Sequence, residues 1–225
     1  MKMKRLFSTV VVALSLSLMS VTSTLADEID EAVRGLQAEW GIANYKTSDE
    51  NKEAAFKALV DKAEALSGKH AARAEPKIWE AIIRAGYAGA MGGVSSMFNA
   101  MPQMEKGRDL LLAAEKIDAN AMNGSVYTTL GSFYYMVPGG FIGFGDNDKA
   151  EAYLAKALEM APDDMDANYF NGDYWLERKK YKKAIPYLEK VLALPDVAER
   201  PIYSEGRKAE AAAKLAIAKK KAPPF

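Results

Sequence analysis

The sequence predicts an all-α solenoid of antiparallel helix pairs with a C-terminal capping helix, and three observations carry that prediction. A block recurs three times: EKGRDLLLAAEKIDA from Glu105, DKAEAYLAKALEMAP from Asp148 and KKAIPYLEKVLALP from Lys182. In each copy a small residue (Gly107, Ala150, Ala184) precedes a leucine by four positions (Leu111, Leu154, Leu188), the spacing that puts both on one helix face. Between the blocks, apolar residues recur every three or four positions, and short polar or proline-bearing breaks separate the runs.

The recurring block is the second-helix pattern of a tetratricopeptide repeat, a helix pair of about 34 residues. Ile29, Val33, Leu36, Trp40 and Ala43 form an apolar stripe over 27–45, and Phe56, Leu59, Ala63 and Leu66 form another over 51–66. Together they read as a degenerate first repeat, 27–68, with Thr47, Ser48 and Asp49 as break and cap. Pro76 opens the next helix, where its missing N–H costs nothing. Ile78, Trp79, Ile82, Ile83 and Tyr87 line that helix and begin a repeat spanning about 76–119. Gly86, Gly89, Gly92 and Gly93 interrupt it, which suits either close helix packing or a backbone opening.

The repeat over 120–162 carries Tyr127, Leu130, Gly131 and Tyr134 on its first helix. Gly131 to Ala150 is nineteen positions, whereas Gly172 to Ala184 in the repeat over 164–196 is twelve. The surplus falls in Met136–Asp146, an apolar, glycine-rich turn. Asp148 with Glu151 reads as a capping-box start after it, and Asp163 and Asp164 as a cap for the next helix. A polar, alanine-rich capping helix over 204–221 closes the stack and ends in three lysines, which suit its negative C-terminal pole. Residues 27–225 are thus expected to form one domain.

Residues 1–26 read as a cleaved secretory signal. Lys2, Lys4 and Arg5 precede an apolar stretch, and small residues at Thr24 and Ala26 fit a peptidase site. The expected location is the periplasm, as a soluble protein. The chain has no cysteine, so no disulfide and no acylated cysteine. It balances 30 basic against 30 acidic residues; without the three leader cations the remainder has 27 basic and 30 acidic, which gives no case for nucleic acid.

Catalysis finds no support in the residues. His70 is the one histidine, no Gly-x-Ser-x-Gly elbow exists, and no calcium- or phosphate-loop spacing occurs. The expectation is no enzyme, no cofactor and no metal. Binding is the better candidate. Phe141 and Phe144 are large apolar residues in a turn that asks for neither, and Tyr134 and Tyr135 lead into it. Asn168, Tyr169, Asn171 and Trp175 form an aromatic and amide run on the following first helix, which a repeat stack sets beside Tyr127–Tyr135. These eight residues are the candidate ligand or partner site. The same letters also suit a loop that folds back as core.

Four stretches resemble one family: residues 87–93 (YAGAMGG), 130–139 (LGSFYYMVPG), 142–146 (IGFGD) and 168–173 (NYFNGD). They are similar to the tetratricopeptide proteins associated with TRAP transporters, their T component, over about Ile78–Lys214. The resemblance implies a periplasmic helical protein that partners the solute-binding subunit of the transporter, forms homo-oligomers such as trimers, and has a pore or cleft suited to apolar ligands. Founding members are lipoproteins, and the lack of cysteine departs from them. Three functions follow as expectations: a non-enzymatic scaffold for a protein partner such as that subunit, a carrier of a small apolar or organic-acid ligand, or a cell-envelope assembly factor.

Overall fold

The structure is a computed structural model that describes residues 27–91 and 96–223. The proposed signal sequence, Gly92 and Gly93 lie outside the described residues. The chain divides into two compact units, Met1–Gly35 and Leu36–Phe225. In the first, residues 27–35 are helical, with Ile29 and Val33 buried.

Among its described residues the second unit is built of helices, with one isolated bridge between Gly139 and Gly145. Helix α1 covers 36–45, α2 Asp49–Lys69, α3 Ala74–Ala90, α4 Ser96–Asp118 and α5 Ala121–Met136. Helix α6 covers Asn147–Met160, α7 Met165–Glu177, α8 Tyr181–Ala193 and α9 Pro201–Lys221. Among the described residues no helix is long and apolar enough to cross a membrane.

Local chemistry accounts for the ends. Asp49 and Glu50 sit in the first turn of α2 and Lys69 in its last, each matching the helix pole beside it. The Asp164 carboxylate accepts from Ala167 N and caps α7. Helix α6 is capped by Asp146, which accepts from Asp148 N and Lys149 N, two residues before the expected Asp148 start. The reason lies in the preceding turn: Asp146 N donates to Tyr134 O and Gly145 N to Pro138 O, so the backbone delivers Asp146 to the cap position. Pro201 opens α9 three residues before the expected start. In α5, Met122, Asn123 and Gly124 are left-handed (φ 52°, 56° and 74°), so the right-handed helix begins at Ser125. Three such residues in succession are costly, and only Gly124 adopts the conformation without a Cβ penalty.

Neighbours in sequence pack as helix pairs, α3 with α4, α5 with α6 and α7 with α8. The first helices α3, α5, α7 and α9 also lie side by side in order. Gly131 on α5 admits Leu154 of α6, and Gly172 on α7 admits Leu188 of α8, so two successive pairs use one device. Leu111, Leu130, Leu154 and Leu188 are fully buried. The long turn leaves this register intact because its extra residues loop outward between α5 and α6.

The capping helix does more than cover α8. Its residues meet the opposite end of this unit: Tyr203 lies 6.4 Å from the Trp40 ring, Lys46 pairs with Glu205 at 2.8 Å, and Tyr45 Oη donates to Glu210 Oε2 at 3.3 Å. Helix α9 therefore packs against α1 as well as α7 and α8.

Candidate functional site

Where α9 meets α1 the first helices leave a half-open cavity of about 270 Å³. All five first helices wall it: α1 through Trp40, α3 through Trp79 and Ile82, α5 through Thr128 and Phe133, α7 through Asp166 and Tyr169, and α9 through Arg207, with Arg200 at its N-cap. A second hollow of about 400 Å³ shares Trp79, Thr128, Asp166 and Arg200 with it, on the side of the left-handed turn of α5. A third, of about 420 Å³, shares Ala85 and Met136 with it, toward the C-terminal ends of α3 and α5. Met91, Met101 and Met104 make that end apolar.

The hydroxyls of the wall come from α5 (Ser125, Thr128, Thr129 and Ser132), and its charges mainly from α9 and its N-cap. Arg207 is buried, with Nε 2.8 Å from Asp166 Oδ1 and Nη1 donating to Glu210 Oε2 at 2.6 Å. Its guanidinium lies 4.2 Å from the Tyr169 ring centre. Burial works against the Arg207 charge, but Asp166, Tyr45 and Glu210 more than offset it. Two turns further along the same helices, Lys214 pairs with Asp173 at 2.5 Å, and Tyr135 Oη donates to the other oxygen of Asp173 at 2.7 Å. These contacts latch α9 to α7 and α5 through charge.

Burial also raises the pKa of every phenol in this region that shifts. Tyr45, Tyr135, Tyr169 and Tyr203 are all pushed up, foremost by loss of water, and Tyr153 is pushed up to about 12 by burial and by Glu115. A raised phenol pKa means that the fold prefers the neutral ring. That stability is complete below the ordinary value of about 10 and is lost as pH climbs through the folded-state values. The phenolate absorbance of these five tyrosines should therefore appear as a separate step above pH ~10, together with loss of helical circular dichroism. Full ionisation near pH ~10 with helicity intact would contradict this account.

The structure distributes the eight candidate site residues among several places. Tyr169 lines the cavity. Tyr135 faces α7, edge-on to Tyr174 at 5.6 Å, so the two aromatic runs do meet. Tyr134 is buried, stacked on Tyr153 at 5.7 Å and edge-on to Phe144 at 5.8 Å. Phe144 lies beneath Arg108, 4.6 Å from ring centre to guanidinium. Asn168 spends its amide on Pro162 O and Asp164 O at the start of α7. Asn171 donates to Leu154 O and Ala167 O, tying α7 to α6. Trp175 is half-buried with Lys183 Nζ 4.1 Å from its ring centre. Phe141 stands fully in solvent at the loop tip, beside exposed Ile142.

Sequence reasoning did not single out Trp40, Trp79, Arg200 or Arg207 for the site. The two tryptophans read as members of apolar stripes, and Arg200 as part of a break. No local spacing links Trp40, Trp79 and the two arginines, because they come from three segments far apart in the chain.

A family model described as tetratricopeptide repeat matches residues 141–164, from the loop tip through α6 to the Asp164 cap. No match to a curated protein was found. The match supports the tetratricopeptide repeat superfamily, whose members generally mediate protein–protein interactions, and the all-α packing of neighbouring helices agrees with it.

Proposed function

We propose that this tetratricopeptide-repeat chain is a non-catalytic binding protein that holds a small organic ligand between its first helices. One observation supports this above all: α9 occupies the face that an open repeat stack presents to a peptide, and it leaves a walled cavity there. With its neighbouring hollows the cavity has the scale of a small-ligand pocket, and its aromatic wall faces hydroxyls of α5 and charged groups of α7 and α9. In this reading the leader exports the protein, and binding takes place in the periplasm.

Native mass spectrometry of the protein, purified gently from its own host, tests the proposal. A bound mass of a few hundred daltons is expected. A bare chain that also binds none of a panel of small organic compounds would overturn it.

The exposed loop favours a second reading, a scaffold that docks a protein partner. Phe141 and Ile142 contribute nothing visible to the core, yet they are large and apolar. The resemblance to transporter-associated proteins supplies the partner class, a periplasmic solute-binding subunit. Phe141→Ser with Ile142→Ser should leave the melting transition unchanged, within about 0.5 kcal/mol, while weakening capture of that subunit from the same cell. A large loss of stability would instead make the tip part of the folded core.

A further inference from the structure

We propose that one end of the helix stack docks on an anionic lipid bilayer, with a basic cluster on the headgroups and the loop tip in the apolar boundary beneath them. This goes beyond the ligand-binding reading and does not depend on it. Helices α5, α7 and α9 end together, since Tyr135 and Lys214 both meet Asp173. Their antiparallel partners begin at the same end. Tyr174 Oη donates to Asn147 O at the start of α6, and Lys221 Nζ lies 6.0 Å from the ring centre of Tyr181 at the start of α8. The α7–α8 turn there contributes Arg178, Lys179, Lys180, Lys182 and Lys183, all exposed. The last turn of α9 adds exposed Lys219, Lys220 and Lys221 from far along the chain, of which Lys219 also pairs with Glu189 at 2.7 Å. In the last turn of α7, Glu177 opposes the cluster, while Asp173 is taken by Lys214. The other 19 basic residues of 27–225 stand against its 30 acidic ones, so a basic pole sits on an acidic chain.

Local structure does not ask for all of this charge. The ends of α7 and α9 favour cations, but Lys180, Lys182 and Lys183 stand at the start of α8, whose pole is positive and whose first turn has no acid. Lys179 is left-handed (φ 57°), in the place where a helix end ordinarily takes glycine. Two local preferences are thus overridden, both toward positive charge, which is the pattern of a functional surface. The apolar part of the same end supplies the second observation. Phe98 in the first turn of α4, and Phe141 and Ile142 at the loop tip, stand in solvent, and the neighbouring hollow is lined by Met101, Met104 and Met136. Clustered cations beside exposed apolar side chains suit anionic lipid: the charge attracts, and the apolar groups enter between the headgroups. An acidic protein surface would answer the cations and leave the apolar tip unused. This assigns the tip to lipid where the second reading above assigns it to a protein, and the experiment separates the two.

Co-sedimentation with vesicles tests the proposal, on protein exported by its own host and shown by intact mass to lack residues 1–26, which are themselves basic and apolar. Vesicles of equimolar phosphatidylglycerol and phosphatidylcholine should bind it about a hundredfold more tightly than vesicles of phosphatidylcholine alone, and less so as salt rises. Lys180→Glu, Lys182→Glu and Lys183→Glu together should remove most of that preference. These changes suit the pole of α8, so melting curves should show a folded protein. Phe141→Ser with Ile142→Ser should weaken binding several-fold and leave its salt dependence. Equal binding to both vesicles, binding to neither, or a preference that survives the triple substitution would overturn the proposal. If polyglutamate binds where vesicles do not, the cations belong to an acidic protein instead. If the loop variant binds vesicles as well as the unsubstituted protein but loses the solute-binding subunit, the tip belongs to that partner and the insertion falls.

Discussion

Replacing Arg84 with methionine is expected to cost about 3–5 kcal/mol of folding stability, the range for removing one partner of a buried ion pair. Glu80 and Arg84 are 1% and 3% exposed, one helical turn apart on α3. Arg84 Nε donates to Glu80 Oε1 at 2.7 Å, Nη1 to Gln103 Oε1 at 2.6 Å, and Nη2 to Glu64 Oε2 at 2.9 Å. Ser67 donates to the second oxygen of Glu80. The cluster thus joins α2, α3 and α4. Without Arg84, the Glu80 carboxylate keeps only a hydroxyl in a site stripped of water. Most of the loss should return in the double variant Arg84→Met with Glu80→Met, which buries no charge. Chemical denaturation of both variants checks this. The account fails if the single substitution costs less than about 1 kcal/mol, or if the double variant is no more stable than the single one.

The second large effect concerns two glycines whose substitutions should act in opposite directions. A β-carbon at Gly131 would lie 2.6 Å from Leu154 Cγ and 3.1 Å from Leu154 N. The leucine side chain could turn away, but the backbone nitrogen cannot move without shifting α6. Gly131→Val should therefore destabilise toward the upper end of the ~1–3 kcal/mol typical of overpacking. Gly89 lies in α3 with nothing within 4 Å of such a carbon. There the helix preference for alanine acts unopposed, and Gly89→Ala should stabilise by up to about 1 kcal/mol. Equal effects of the same sign in thermal melts would sink the argument.

The helical solenoid was legible in the sequence because periodicity reports which face of a helix is apolar. Gly131 with Leu154 and Gly172 with Leu188 make the point. Each pair belongs to adjacent helices, and the small-large spacing recurs in the letters. The cavity was not legible for the converse reason. Tyr45 and Glu210 meet across 165 positions, and no local pattern says that the face of α9 opposite α8 will rest on α1. Glu80 shows the same limit. The apolar stripe of Ile78, Trp79, Ile82 and Ile83 leaves Glu80 on the flank of α3. Helix α3 is covered by α2, α4 and α5, so that flank is buried too. The cap at Asp146 was missed by two residues because Asp146, Asn147 and Asp148 are equally good capping letters. The backbone bonds of the preceding turn make the choice.

The return of α9 to α1 changes the kind of polymer this unit is. An open repeat array behaves as a one-dimensional chain of neighbours, and such arrays fray from their ends and tolerate loss of a terminal repeat. Here the terminal helix holds Trp40, Trp79, Asp166 and Asp173 at once, through Tyr203, Arg200, Arg207 and Lys214. Within Leu36–Phe225 the modular stack has become a closed circuit. Its repeats should melt together, and removing α9 should weaken the first pair as much as the last.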